Sequence, residues 1–287
     1  MKIKRHPRLK STERISLQLL AVVWVTVCTI FSLIPLFITI LNSFKSNTEI
    51  ITSIYAFPDI KNAGANLAYN YSAAWTNTVR PLLRSILTAG VGTLLNMAIG
   101  VILAYIFCHK QFHFKEGIYI TFILIMLIPS VMGMPVLLPF VTNGLGLKDT
   151  YLGYWLPIVG GGQVGGLFLF RTFFNQQPKS IFESAKIEGA NDVNIILYIV
   201  IPLALPIMLY FFVGTFASEY NDYLWPSLIF NDKQTLMPMI LSLSEKFNRE
   251  QGVVYAIYII ACIPLCFNTV ISLKHFQGGD FAAGMKL

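Results

Sequence analysis

Six stretches of this chain are too long and too apolar to remain in water: 15–41, 86–107, 117–141, 151–170, 195–217 and 253–273. A helix needs about 20 apolar residues to cross the hydrocarbon core of a bilayer, and each stretch meets that length. Inside lipid every backbone N–H and C=O must find a partner within the protein, which leaves only helices and closed barrels. The period-2 alternation of barrel strands is absent. The expectation is therefore an all-α integral membrane protein with six transmembrane helices. Pro129 and Pro135 predict a kink in the third span, and Pro202 and Pro206 one in the fifth.

Composition narrows the function classes. Charged residues make up 12% of the 287 positions, about half the usual share of a soluble domain, which excludes an ordinary cytosolic enzyme. Aromatic residues at 14% exclude a disordered chain. The net charge of +7 raises the question of nucleic acid, but the placement of the basic residues answers it. With six spans both termini share a side, together with segments 108–116 and 171–194. Those four segments carry 13 of the 21 Lys and Arg residues. By the positive-inside bias this side is the cytoplasm, so residues 1–14 form a cytoplasmic N-terminal segment and 15–287 a single six-span domain. Segments 42–85 and 218–252 then face outward, with Asp149 and Glu219. The basic start followed by an apolar run resembles a signal peptide, but the run of 15–41 exceeds a signal core and no small-x-small cleavage site follows it. It reads as a retained span, and the protein as a multi-pass component of the plasma or inner membrane in contact with lipid.

The spans as drawn contain no Asp, Glu, Lys, Arg or His. Ion-coupled carriers usually keep ionisable groups at membrane depth, so energy for any transport is expected from another subunit. No Ser-His-Asp, His-Glu-x-x-His or paired-carboxylate pattern supports catalysis, and no Gly-x-x-x-x-Gly-Lys-Ser/Thr loop supports nucleotide binding. His109 and His113 lack a third metal ligand and read as interfacial residues. Cys28, Cys108, Cys262 and Cys266 form no Cys-x-x-Cys pair and read as packing or lipid-facing residues. Gly160, Gly161, Gly162, Gly165 and Gly166 crowd the fourth span, at spacings that admit a neighbouring helix. Asn96 and Gln163 are intramembrane amides, placed either to bond between helices or to line a passage. Tyr220, Tyr223 and Trp225 cluster at the outer end of the fifth span, as an interfacial aromatic belt or as a stacking surface for a sugar.

The segment between the fourth and fifth spans is the most informative. Pro178 can open a short helix, Ser180 can cap it and Gly189 can end it. A helix over about 179–190 is too short to be stable alone. Its two alternatives are a partner surface and the lipid headgroups. Here Glu183-Ser184-Ala185, three residues, Gly189, nine residues and Ile199-x-Ile201-Pro202 resemble the EAA motif of permease subunits in ABC importers, with Ser184 in place of Ala and Ile201 in place of Leu. Further stretches resemble the carbohydrate branch, the second permease of maltose-type systems. These are Asn42-Ser-Phe-Lys-Ser-Asn-Thr-Glu49, Asn70-Tyr71, Ala104-Tyr105, Tyr220-Asn221-Asp222-Tyr223-Leu224-Trp225-Pro226, Thr235-Leu236-Met237-Pro238 and the tail from Phe281 to Lys286. Tyr220 stands where that branch usually has Trp, and Leu287 where Gly is common.

That resemblance implies half of a sugar passage, completed by a second homologous permease. Two copies of an ATPase, which bind the ATP and Mg, and an external sugar-binding protein complete the system. This chain itself carries no cofactor, metal or catalytic group, and contacts no nucleic acid. Glu183, Ser184, Ala185, Gly189 and Ala190 would couple it to the ATPase. Asn96, Gln163, Tyr220, Tyr223 and Trp225 are the candidates for the solute path. The competing readings are a permease for a peptide or polyamine, an integral membrane enzyme, and a carrier that works alone.

Overall fold

A computed structural model describes residues 11–277, with side chains for 18–272. The basic residues before Ser11 and the tail from Phe281 to Lys286 lie outside the described residues. Every element among the described residues is helical, with no strand. The chain divides into two compact units. One holds the residues up to Thr76 together with Phe247–Ile260, and the other holds Asn77–Lys246 with the residues from Ala261 onward.

In the first unit, α1 (Ser11–Ser43) is apolar on all sides, and none of its central turns is buried against protein. Four of its hydroxyls are hidden locally: Thr26, Thr29, Ser32 and Thr39 each donate to the carbonyl four residues earlier. That arrangement suits lipid, where no water satisfies them. The chain then tightens into α2 (Asn47–Thr52), opened by a capping box. Glu49 accepts from the Ser46 backbone N–H at 2.7 Å, the Asp59 N–H at 2.9 Å and Asn66 Nδ2 at 3.1 Å. The Ser46 amide first, and then the Asp59 amide, hold its carboxyl below the usual carboxylate range. Lys45 is buried, donates from Nζ to the carbonyls of Ser53 and Ile54 at 3.1 and 3.2 Å, and is pushed down by that burial. Asn70 reaches the carbonyls of Ser43 and Lys45 at 2.9 and 3.0 Å. The Ser-Phe-Lys-Ser stretch is thus a hydrogen-bonded knot.

Asn70 itself stands in a helix. The sequence reading placed a loop at 42–85 and a span at 86–107, but α3 runs unbroken over Ile60–His109. Fifty residues make a rod of about 75 Å, more than twice the hydrocarbon thickness of about 30 Å. Its polar first half hid a helix that carries no membrane signal, and Pro81 does not end it.

In the second unit the third span is not the kinked rod expected over 117–141. α4 (Lys115–Met126) stops, a 3₁₀ turn covers Ser130–Gly133 and α5 (Met134–Pro139) leads into a π-helical turn at Phe140–Gly144. The two halves meet at 91°. Pro129 disfavours the helical conformation at Ile128, so it breaks the helix rather than bending it, while Pro135 sits harmlessly in the first turn of α5. α6 (Tyr151–Phe174) starts on a Thr150 cap, whose hydroxyl accepts from the Gly153 N–H at 3.0 Å. Two shorter helices, α7 (Lys179–Ile187) and α8 (Asp192–Ile195), follow. A π turn over Ile196–Val200, closed by the Ile201 N–H on the Ile196 carbonyl, precedes α9 (Ile201–Tyr220). The expected distortion at Pro202 takes this form, because proline has no N–H to continue the ladder. α10 (Leu224–Ile229), α11 (Leu236–Lys246) and α12 (Gln251–Gln277) complete the chain.

Among the described residues four helices are long and apolar enough to cross a membrane: Gln18–Ser43, Ile60–His109, Asp192–Tyr220 and Gln251–Ser272. The bent pair around Pro129 makes a fifth if it counts as one span. α6, with 24 residues, is long enough at about 36 Å, but its glycines dilute its hydropathy. Two of those glycines do what their spacing predicts. Gly166 lies so close to α3 that a Cβ on Gly100 would sit 3.0 Å from the Gly166 Cα. Gly162 leaves room for the Asn96 amide, which a Cβ would meet at 2.6 Å. Gly160 and Gly161 face open space.

Candidate functional site

The segment joining α6 to α9 is built from a sharp stop, a short helix and a second stop. At the end of α6, Arg171 pairs with Glu116 at 2.6 Å and lies 3.7 Å over the Tyr119 ring. Pro178 then takes the N-cap position of α7 with no side-chain cap bond, so Ser180 does not cap it as expected. The helix ends at Ile187, three residues before the expected limit. Gly189 adopts φ +86°, its N–H bonds the Lys186 carbonyl at 3.1 Å, and the Ala190 N–H bonds the Ala185 carbonyl at 3.0 Å. This paired closure satisfies the last carbonyls and needs a residue free of Cβ strain at its turn. Asn191 immediately caps α8, accepting from the Asn194 N–H at 2.8 Å.

The five motif residues separate by side. Glu183 and Ser184 are exposed, as is Gly189 at the turn. Ala185 is buried, Ala190 is half-buried, and both pack against the protein's own core beside Phe182. Ala185 therefore faces its own bundle, and the surface offered outward is Glu183 and Ser184, with Ile187 87% exposed one turn on. The inward side meets the end of α3. The Phe182 ring lies 4.2 Å from His109 between centroids, and His109 lies 4.9 Å from Tyr105. Tyr105 donates to Asp192 Oδ1 at 2.8 Å, and Lys110 bonds Asp192 Oδ2 at 2.6 Å. His109 thus belongs to a cluster of tilted rings, while His113 is exposed. Among the described residues no group of His, Cys, Asp or Glu is arranged to hold a metal ion. The sequence held the partners of this clamp without any motif that joins them.

The five solute-path candidates do not converge. Tyr220 is buried and donates to the Ala261 carbonyl at 2.9 Å. Trp225 is buried and donates to the Tyr154 carbonyl at 3.2 Å. Gln163 bonds Gly160 on its own helix at 3.1 Å. Tyr223 is 51% exposed. Asn96 is buried and donates to Glu219 Oε1 at 2.9 Å. That bond corrects the reading of Glu219 as an outward-facing loop residue. α9 continues past Ala217, and the carboxylate turns inward so that a Cβ on Gly92 would collide with it. The bundle of α3, α6 and α9 therefore contains a carboxyl group that the span boundaries drawn from hydropathy had excluded. Outside the span, Asp222 accepts from the Leu224 and Trp225 N–H groups at 3.0 and 3.4 Å and opens α10, and burial pushes its carboxyl up.

A long apolar bundle with a short amphipathic helix between two of its spans matches known proteins along most of its length. Residues 96–278 match the family described as binding-protein-dependent transport system inner membrane component. The diacetylchitobiose uptake system permease protein NgcG of Streptomyces coelicolor is 25% identical over 252 residues, covering 86% of this chain and 82% of its own. The sn-glycerol-3-phosphate transport system permease protein UgpE of Escherichia coli K12 is 31% identical over 209 residues, covering 70% and 72%. A chain in the crystal structure of a bacterial ABC transporter that imports the acidic polysaccharide alginate superposes with a TM-score of 0.72 at 19% identity. That match covers 94% of this chain and 100% of the other, which shows a shared fold. The family match spans more than half of the sequence, and the chain belongs to the binding-protein-dependent transport system inner membrane component family.

Proposed function

We propose that this chain is one of two permease halves in an ABC importer for a sugar or oligosaccharide, with uptake driven by ATP hydrolysis on partner subunits. The observation that carries the proposal is α7: a nine-residue helix anchored inward by Phe182 and Ala185 and exposing Glu183 and Ser184. An isolated helix of this length is not stable in water, and its inner anchors leave the outer face free for a second protein. In this reading α7 is the coupling helix on the cytoplasmic side. Glu183 accepts charge-assisted bonds from a basic group of the ATPase, and Ser184 keeps the contact face slim. The paired closure at Gly189 and Ala190 fixes the direction in which the chain returns to the fifth span.

Six spans follow if the bent pair at Pro129 and the glycine-rich α6 each cross once. Both termini are then cytoplasmic, in agreement with the basic residues of segments 108–116 and 171–194. The second permease, two ATPase copies holding ATP and Mg, and an external binding protein complete the assembly. Family members are transport components, which removes the enzyme reading. A neutral, hydroxyl-rich solute suits a bundle with few charges, and one relative is named for diacetylchitobiose. Glu219, held among α3 and α9 by Asn96, favours a second reading, an organic cation as solute, because a carboxylate within the bundle attracts positive charge.

The test is uptake into proteoliposomes holding the whole complex, with labelled oligosaccharides offered through the binding protein. ATP-dependent accumulation of a sugar, unaffected by excess polyamine, supports the main reading. Accumulation of a polyamine in place of any sugar supports the second. Uptake by this chain without the ATPase refutes both.

A further inference from the structure

We infer that the Phe182–His109 ring contact is the joint through which α7 moves the second span, α3. The inference rests on reading α7 as the helix that meets the ATPase. A push on α7 can follow the chain into α6 and α9, or pass sideways through its buried side chains, of which Phe182 meets α3.

The chain route is soft at both ends. On one side lies the turn at Asn175–Gln177, and on the other the left-handed residue Gly189. Such turns absorb rotation rather than transmit it.

The sideways route is stiff. Phe182 is buried with its ring centroid 4.2 Å from that of His109, and His109 lies 4.9 Å from the buried ring of Tyr105. Tyr105 and Lys110 each bond one oxygen of Asp192, at 2.8 and 2.6 Å. The last two turns of α3, with Lys110 just beyond them, thus grip α7 and the first residue of α8 together. Close-packed rings pass displacement on because no void takes it up. The chemistry of His109 points the same way. Its Nε2 is buried with no hydrogen-bond partner, so this edge of the imidazole meets its neighbours as a ring and not through a polar contact. Any planar ring of similar size fits that role, and a branched aliphatic chain does not. Phe182, His109 and Tyr105 are therefore positioning residues, acting on the passage through α3.

The experiment measures one distance in the assembled transporter of this chain, its partner permease and its two ATPase subunits. Spin labels are placed at Ser184→Cys on α7 and Leu94→Cys on the exposed side of α3, with and without ATP trapped by vanadate. The expected result is a Ser184 label that is immobilised by the ATPase, and a label-to-label distance that stays constant between nucleotide states. His109→Phe preserves that constancy. Phe182→Leu and His109→Leu, which keep bulk but lose the ring, let the distance shift or broaden on trapping. A shift in the parent protein, or leucine variants that behave like it, overturns the joint while leaving the role of α7 intact. A Ser184 label indifferent to the ATPase overturns the reading of α7 and the joint with it.

Discussion

Adding one methyl group to the glycine at the crossing of α3 and α6 is expected to destabilise the bundle, while the same change ten residues earlier does the opposite. A Cβ on Gly100 would lie 3.0 Å from the Gly166 Cα, 3.1 Å from its carbonyl carbon and 3.3 Å from a Phe170 ring carbon. Carbon atoms prefer about 3.5–4.0 Å, and two of these three neighbours are backbone, which cannot rotate away. Overpacking of this kind costs about 1–3 kcal/mol. A Cβ on Gly90 meets nothing within 4 Å. Both glycines lie inside α3, so the helix-propensity gain of alanine, about 0.8–1.0 kcal/mol, is common to the two changes and cancels when they are compared. Gly100→Ala should therefore fall about 1–3 kcal/mol below Gly90→Ala, a factor of roughly 5 to 150 in the folding equilibrium. Unfolding in mixed micelles, followed by tryptophan fluorescence, measures the difference. Equal stabilities would refute the claim that α3 and α6 touch backbone to backbone at this point.

Acid should loosen the turn after α1. The Glu49 carboxyl is held low by its N–H donors, so its stabilising effect is present above the unfolded value of about 4.3 and is lost as pH falls through the folded value. Limited proteolysis at 46–59 should accelerate in acid, and Glu49→Gln should remove that acid transition; an unchanged transition would clear Glu49 of the role. Gly189→Val forces a branched side chain onto φ +86°, a region that costs ordinary residues about 1–2 kcal/mol. It should uncouple ATP hydrolysis from uptake while membrane insertion stays normal, and full transport would count against the turn's importance. Tyr223→Ala should alter solute preference at matched abundance if the exposed ring lines the passage; the same preference would leave it an interfacial residue.

Hydropathy made the membrane class and most of the helices legible, because burial in lipid demands long apolar runs. It misjudged what lipid does not dictate. The polar half of α3 leaves no apolar signature, and a proline after α4 breaks a span or bends it depending on the packing around it. Glu219 was excluded from the fifth span because a charge normally ends one, yet a single amide on α3 and the bare face of Gly92 let α9 carry it inward. At α7, the proline and glycine announced both ends and the spacing of the motif announced the segment. The direction of each side chain was not legible. Ala185 turned inward, and the ring contact joins residues 73 positions apart, His109 and Phe182, with no local pattern to link them.

Site-directed crosslinking from Ser184→Cys in whole membranes asks whether the outer face of α7 meets a motor. With a short bifunctional reagent, the account predicts a product containing this chain and a nucleotide-hydrolysing subunit, formed in good yield from Ser184 and absent from a cysteine at the buried Ala185. A Ser184 cysteine that never captures such a subunit, in membranes that still transport, would contradict it.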